Sequence, residues 1–374
     1  MLGRAVTDQP PKRSPLYGIQ KGLAARFVPF AGWEMPVQFQ GIVNEHHAVR
    51  QRVGLFDVTH MGRLRVAGTS ALVAVDRLVT NSLSQAMGGR AVYGCCCNAV
   101  GGILDDLICY RESTSSIFII CNASNRDKIR QHISSNLGSN VALADVSDET
   151  ALLALQGPMA FAVLDSLSAN WAVGLPRMGF AKGVLAGVDV TIAKTGYTGE
   201  LGVEIVCPRG QLETLYVALL GAGKTFGIVP AGLGCRDTLR LEARLSLYGN
   251  EIDESTNPLE AGLGWTVKLD KAEFIGKAAL EAIRRAGPKR LIVGLEMLGH
   301  GVARHGYAVS DETKRPVGIV TSGGPSPTLG KNIALAYVPL ELAGVGTRVH
   351  IDCRGKLVEA TVVPTPFYKR PAVG

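Results

Sequence analysis

Two hydrophobic periods alternate along the chain. Apolar positions recur with helical spacing over 42–52, 71–78, 127–137, 160–167, 211–220 and 277–285, which predicts amphipathic helices there. Between them lie short apolar runs at 64–66, 91–97, 104–110, 117–121, 152–158, 183–186, 188–193 and 204–207, bounded by turn-forming residues, and these predict strands. The apolar segment 27–36 is no helix interior, because Pro29 and Pro36 each remove a backbone donor. A helix predicted from Gly232 through Leu245 carries Arg236, Arg240 and Arg244 at four-residue spacing on one face. Past Arg290 the helical period disappears, and strands at 291–297, 317–321, 332–337, 348–353 and 358–363 alternate with Gly, Pro and Ser turns, the pattern of a small antiparallel barrel. Helices interleaved with hairpin-joined strands predict an α+β or split β-α-β arrangement in preference to doubly wound parallel layers. Breaks in the pattern divide the chain into an N-terminal extension (1–13), two α+β subdomains within 14–286 (roughly 14–150 and 151–286) and a C-terminal β-barrel (287–374).

The run 101–107, Gly-Gly-Ile-Leu-Asp-Asp-Leu, sets two carboxylates into an apolar strand. Successive strand side chains point to opposite faces, so only one of Asp105 and Asp106 is expected to look into a given pocket. A desolvated carboxyl binds its proton more tightly, while a neighbour in solvent stays ionised. Taken alone, the same residues also fit a plain hairpin with charges on its edge. The stretch 195–204, dense in Gly and polar groups, is expected to bring backbone close to something flat or anionic. The sequence 218–225 imitates a phosphate-binding loop in its Gly-Lys-Thr ending. Ala218 stands where the first Gly is required, however, and the run follows a helix, so its glycines are read as a helix end. His46, His47 and His60 lack metal-ligand spacing and are read as structural.

At 374 residues the chain is long enough for two or three domains, and 45 glycines imply many tight turns. The net charge of +7 permits an anionic partner. Lys and Arg are scattered, so a small polyanion or an acidic protein is expected and nucleic acid is not. No run of about 18 apolar residues occurs, so no membrane span is expected. Eight cysteines, among them Cys95, Cys96 and Cys97 in a row, contain no C-x-x-C pair; they read as buried small hydrophobes without metal. The first thirteen residues hold Arg4, Lys12 and Arg13 against Asp8 and lack a secretory apolar core, which fits a short organellar presequence or a plain terminus.

Several stretches are more specific than these generic signals. They are Phe-Ala-Gly-Trp-Glu-Met-Pro at 30–36, Phe-Asp-Val-Thr-His-Met at 56–61, the run 101–107, Ala-Leu-Gln-Gly-Pro at 154–158, and 195–204. To these are added 232–241, 247–254, Thr-Ser-Gly at 321–323 and Ser-Pro-Thr-Leu at 326–329. In this order and spacing, from Pro15 to Tyr368, the chain resembles the aminomethyltransferase family, the T-proteins of the glycine cleavage system. The resemblance implies a three-domain cloverleaf, with two α+β folate-binding domains and a C-terminal antiparallel β-barrel. It implies transfer of a one-carbon unit from the aminomethyl-lipoyl arm of H-protein to tetrahydrofolate, giving 5,10-methylenetetrahydrofolate, ammonia and dihydrolipoyl H-protein, with no metal.

Carried over by position, Asp106 is implied as the catalytic carboxylate beside the folate 10-nitrogen. Glu204 is implied to meet the pteridine, and Tyr93, Asn122, Tyr197, Arg236, Trp265 and Tyr368 to line or close the folate site. The residue types agree. A pterin edge offers two adjacent donors to one carboxylate, a flat ring favours aromatic walls, and an anionic tail suits a basic protein. Asp105 is expected to face away, so that its replacement does little. Leu201 and the triple cysteine depart from the family's usual text. Alternatives of other kinds are a tetrahydrofolate-dependent demethylase and a non-catalytic folate-binding protein. A monomer in the mitochondrial matrix is expected, with the bacterial cytoplasm as the other location.

Overall fold

The computed structural model describes residues 10–371, which form two compact units: 10–96 with 105–236, and 97–104 with 237–371. Arg4 and Asp8, on which the presequence expectation rests, lie outside the described residues.

In the larger unit the chain opens with β1 (Lys12–Arg13), helix α1 (Tyr17–Gly22), β2 (Arg26–Phe30) and β3 (Trp33–Gln38). The three strands form a small sheet in the order β1-β3-β2. Pro29 and Pro36, which exclude a helix, sit within it opposite Glu34 and Phe27. Arg13 is anchored to Glu34 at 2.7 Å.

Helix α2 (Ile42–Gln51) then leads to β4 (Val53–Asp57), β5 (Gly62–Gly68) and α3 (Ala71–Asp76). The candidate carboxylates come next, on the hairpin of β6 (Ala91–Cys97) and β7 (Ile103–Arg111), followed by β8 (Ser116–Cys121), α4 (Arg126–Asn136) and β9 (Val141–Asp145). These strands make a five-stranded sheet in the order β6-β7-β8-β5-β9. β9 gives a weak signal: of its apolar residues only Val141 and Leu143 are half-buried, while Ala142 and Ala144 are exposed on the edge strand.

A second sheet is built on β10 (Thr150–Gln156), followed by α5 (Ala160–Ser166), α6 (Asn170–Val173), β11 (Phe180–Leu185), β12 (Val188–Ala193), β13 (Gly202–Pro208), α7 (Leu212–Ala222) and β14 (Ile228–Ala231). Its order is β11-β12-β13-β10-β4-β14, with β14 parallel to β4 and the rest antiparallel. Period-two alternation places Leu55, Leu153, Leu155, Val190, Ile192, Val203 and Ile205 in one core with helices α5 and α7. The opposite face carries Gln156, Ala154, Ala193 and Glu204. The phosphate-loop imitation proves to be the end of α7, where the Gly223 amide donates to the Leu219 carbonyl at 2.9 Å.

Helix α8 (Leu233–Glu242) is shorter than the pattern through Leu245 predicts. Arg244 adopts φ 57°, and the Leu245 amide turns back to the Arg240 carbonyl at 2.9 Å, so Arg244 leaves the helical face. In the smaller unit Arg240 is buried and donates to Glu251 at 2.7 Å and to Ser322 at 2.8 Å, while Thr321 donates to Glu251 at 2.7 Å. After α9 (Lys277–Ala286) the chain closes an antiparallel barrel of β15 (Arg290–Met297), β16 (Ala308–Ser310), β17 (Pro316–Ser326), β18 (Lys331–Pro339), β19 (Arg348–Asp352) and β20 (Leu357–Val363). Alternate residues such as Val293, Leu295 and Met297, or Val358, Ala360 and Val362, fill it. The α+β class and the C-terminal barrel are therefore as the sequence predicts.

Candidate active site

The tip of the β6–β7 hairpin, 97–104, is held by hydrogen bonds within the smaller unit. The Asn98 amide donates to the Gly102 carbonyl at 2.9 Å, and the Asn98 side chain accepts from the Gly102 amide at 2.9 Å. Gly101 holds φ +84°, and a Cβ on Gly102 would lie 2.1 Å from the Glu254 carbonyl oxygen, so both glycines are required. Ile103, the first residue of β7, donates to the carbonyls of Asp253 and Thr256 at 3.1 and 2.9 Å.

Asp106 accepts from the Tyr93 hydroxyl at 3.0 Å and from Asn122 Nδ2 at 2.6 Å and is partly exposed. Asp105 does not lie in solvent, contrary to the expectation from strand alternation. It is fully buried, and accepts from the Asn122 amide at 3.0 Å, Asn122 Nδ2 at 2.8 Å and Asn125 Nδ2 at 2.6 Å. The cause is the chain after β8. Continuing the register that sets Ile108 opposite Ile120 brings Asn122 level with Asp106, and the turn to Asn125 folds over the face that Asp105 occupies. Burial pushes both carboxyls above the ordinary carboxylate range. The charge of Asp106 adds to the rise at Asp105, where hydrogen bonds from Asn125 and Asn122 oppose it; at Asp106 hydrogen bonds from Tyr93 and Asn122 oppose the rise. Burial and the Asp106 charge keep the Tyr93 hydroxyl protonated and donating.

A second cluster sits on the polar side of the other sheet. Glu204 lies on the central strand β13, only 8% exposed, and accepts from Thr195 Oγ1 at 2.5 Å. Its cross-strand neighbours are Ala154 and Ala193, both buried and both small. Arg236, in the first turns of α8, places its guanidinium 4.7 Å from the Tyr197 ring centre. Burial lowers the Arg236 pKa and the Glu204 charge counters this; its Nη1 is buried with no hydrogen-bond partner among the described residues. Such an orphan donor beside a glutamate is what a bound polar ligand would satisfy. Tyr197 also raises the Tyr93 pKa, so the two clusters feel one another.

The loop 195–204 is held by Gln156, which sequence reading did not single out. Gln156 Nε2 donates to the carbonyls of Thr195 and Val203 at 3.2 and 3.1 Å, and its oxygen accepts from Thr198 at 2.9 Å. Gly196 and Gly202 have no room for a Cβ, which would lie 2.1 Å from Gln156 Oε1 and 2.4 Å from the Leu155 carbonyl oxygen. Arg50 clamps the far side through the Thr198 carbonyl at 2.6 Å and Glu200 at 3.0 Å. The signal available was a buried-strand pattern, Leu-Leu-Ala-Leu, ending in a glutamine. Leu201, the departure from the family text, contributes only its backbone there: its carbonyl accepts from the Gly157 amide at 2.7 Å.

Trp265 and Tyr368 belong to the smaller unit. Trp265 is 61% exposed in the turn Gly264–Thr266, and the Tyr368 amide donates to the Glu242 carbonyl at 2.9 Å. Among the described residues no group of three or more His, Cys, Asp or Glu side chains is placed to hold a metal ion. His60 is buried edge-on to Phe30 at 5.5 Å, and burial with the charges of Arg236 and Arg63 pushes its pKa down to about 3.

These features define a class, an α+β protein with a C-terminal antiparallel barrel and two interacting carboxylate clusters in one partly desolvated site. Comparison with known proteins narrows the class. Residues 16–271 match the GCVT N-terminal domain, and residues 290–369 match the glycine cleavage T-protein C-terminal barrel domain. The aminomethyltransferase of Shouchella clausii is 46% identical over 360 residues, 96% of this chain and 98% of that protein. The aminomethyltransferase of Synechococcus elongatus is 47% identical over 363 residues, 95% and 96% of the two chains. The crystal structure of glycine cleavage system aminomethyltransferase T from Bartonella henselae superposes with a TM-score of 0.90 at 34% identity, covering 96% of this chain and 98% of that one. The chain belongs to the aminomethyltransferase family, the T-proteins of glycine cleavage, and is a transferase enzyme.

Proposed function

We propose that the enzyme transfers the one-carbon unit of an aminomethyl group, carried on the lipoyl arm of H-protein, to tetrahydrofolate. The observation that carries this reading is Asp106, a partly exposed carboxylate held by Tyr93 and Asn122. Loss of ammonia from the aminomethyl-sulfur group leaves an electrophilic methylene. The folate 5-nitrogen attacks it, the thiol departs as dihydrolipoyl H-protein, and the 10-nitrogen closes the ring. The hydrogen on the 5-nitrogen ends on the thiol and that on the 10-nitrogen ends in ammonia, so the atoms balance. Asp106 is assigned the 10-nitrogen: it orients that amine, takes its proton at closure and stabilises the positive charge that develops. A carboxyl whose pKa is raised by burial suits that exchange.

Glu204, flanked across the sheet by the small side chains of Ala154 and Ala193, is assigned the pair of donors on the pterin edge. Tyr197, stacked on Arg236, supplies an aromatic wall, and the free donor of Arg236 faces ligand acceptors. Tyr93 and Asn122 hold Asp106; Trp265 and Tyr368 are assigned to the folate site on the family resemblance alone. The subdomain limits near 150 and 287 are kept as part of this reading. A monomer working with H-protein, without metal or nucleic acid, completes it.

The relatives named above are bacterial, which lends nothing to a mitochondrial address; we take the bacterial cytoplasm as the location. The test is incubation with aminomethylated H-protein and tetrahydrofolate. Ammonia and 5,10-methylenetetrahydrofolate are expected in equal amounts, and Asp106→Asn is expected to bind tetrahydrofolate while losing most turnover. Absence of ammonia, with one-carbon transfer from a methylated small substrate instead, would make the enzyme a demethylase.

A further inference from the structure

The proposed chemistry gives Asp105 no task, yet it is the more enclosed of the two carboxylates. It has zero exposure, and its three hydrogen bonds come from two asparagines only three positions apart in the chain. Asn122 Nδ2 has two hydrogens and splits them, one to Asp105 at 2.8 Å and one to Asp106 at 2.6 Å. Reversal of this amide would turn its oxygen toward both carboxylates, so Asp105 locks the orientation that aims the second hydrogen at Asp106. Asn125, itself buried, braces the same Asp105 oxygen at 2.6 Å. The other groups that face the pair are Tyr93 and Cys96 from β6 and Cys121 from β8, with Lys128 of α4 felt at Cys96; burial keeps both thiols neutral.

We infer that Asp105 is a positioning residue. Braced by Asn125, it fixes through Asn122 the amide that holds the Asp106 carboxylate. Two carboxyls bridged by one amide in a desolvated site exchange protons as a pair, in two steps that belong to neither alone. The consequence for turnover rests on Asp106 acting as proposed above; the coupling of the two carboxyls does not.

The test begins with the free enzyme, following the side-chain carboxyl carbons of Asp105 and Asp106 by NMR as pH is varied. Both resonances are expected to move through two steps in the unaltered protein. In Asp105→Asn the Asp106 signal is expected to collapse to one step at lower pH. Ammonia release should fall roughly tenfold or more, as for a misplaced catalytic group, with its acid limb shifted down and KM for tetrahydrofolate little changed. Moving the charge, with Asp105→Asn and Asn125→Asp together, should recover part of the rate and the two-step titration. A single independent step for Asp106 in the unaltered protein overturns the inference. So does an Asp105→Asn enzyme whose pH profile keeps its shape and only scales with the folded fraction. If Asp105→Asn does not fold, the titration of the unaltered protein decides. Two coupled steps without any ammonia release would instead sink the proposed reaction and leave the coupling standing.

Discussion

Replacing Glu204 by glutamine isolates the pterin contact, because the side chain keeps its shape while its charge is lost. One carboxylate oxygen accepts from Thr195 Oγ1 at 2.5 Å, and nothing indicates that this bond must break, since the glutamine oxygen accepts equally well. The second oxygen is the one assigned to the ligand. In the variant an NH2 group takes its place and meets ligand donors with another donor. A hydrogen bond to a charged group is worth about 1.5 to 3 kcal/mol, and an opposed donor leaves a desolvated group unpaired. A loss of about 2 to 3 kcal/mol corresponds to roughly 30- to 150-fold in the dissociation constant for tetrahydrofolate. Arg236, whose charge Glu204 supports, also loses that support, so a modest fall in stability should accompany the binding defect. Titration of tetrahydrofolate into enzyme and variant, read by calorimetry, measures the first effect. Urea denaturation measures the second. A variant that binds tetrahydrofolate within threefold of the parent refutes the assignment, whatever its stability.

Two further perturbations test the frame that carries the site. Arg63 is fully buried and donates to the carbonyls of Thr59, Met61, Ser147 and Thr150 and to the Thr150 hydroxyl, at 2.5 to 3.0 Å. Arg63→Met strips the donors from all of them and should cost about 3 to 5 kcal/mol in urea denaturation; a loss below about 1 kcal/mol would mean that these carbonyls find other partners. His60, with a pKa near 3 against 6.5 for the free side chain, stays neutral in the folded protein. Between those values the unfolded chain takes up a proton that the native state refuses, so the stability His60 contributes is present above pH 6.5 and is lost as pH falls toward 3. The stability difference between the parent and His60→Gln should therefore shrink across that window, and a difference independent of pH would contradict the burial of a neutral imidazole.

What the sequence makes legible, and what it does not, follows from the range over which each signal acts. The barrel is legible as a class because five of its strands are apolar runs between Gly, Pro and Ser turns, whereas β16, three residues long, leaves no such run. Strand β9 is not legible, because on this short edge only two apolar residues, Val141 and Leu143, are even half-buried and the alternating residues are alanines. Helix α8 was read too long since arginines at four-residue spacing continue a helical pattern that Arg244, at φ 57°, does not follow; Arg240 instead turns into the buried bonds with Glu251 and Ser322.

The Asp-Asp pair shows the limit most clearly. Alternation along β7 separates the two side chains, and that much is correct, since Asp106 alone reaches Tyr93. Alternation says nothing about what covers the far face, and there the turn after β8 brings two asparagines over Asp105 and encloses it. A solvent-facing partner would have been a bystander to Asp106. An enclosed one, sharing an amide with it, cannot change its charge without changing the environment of the other, and this is why the two aspartates are expected to act as a unit although they point to opposite sides of one strand.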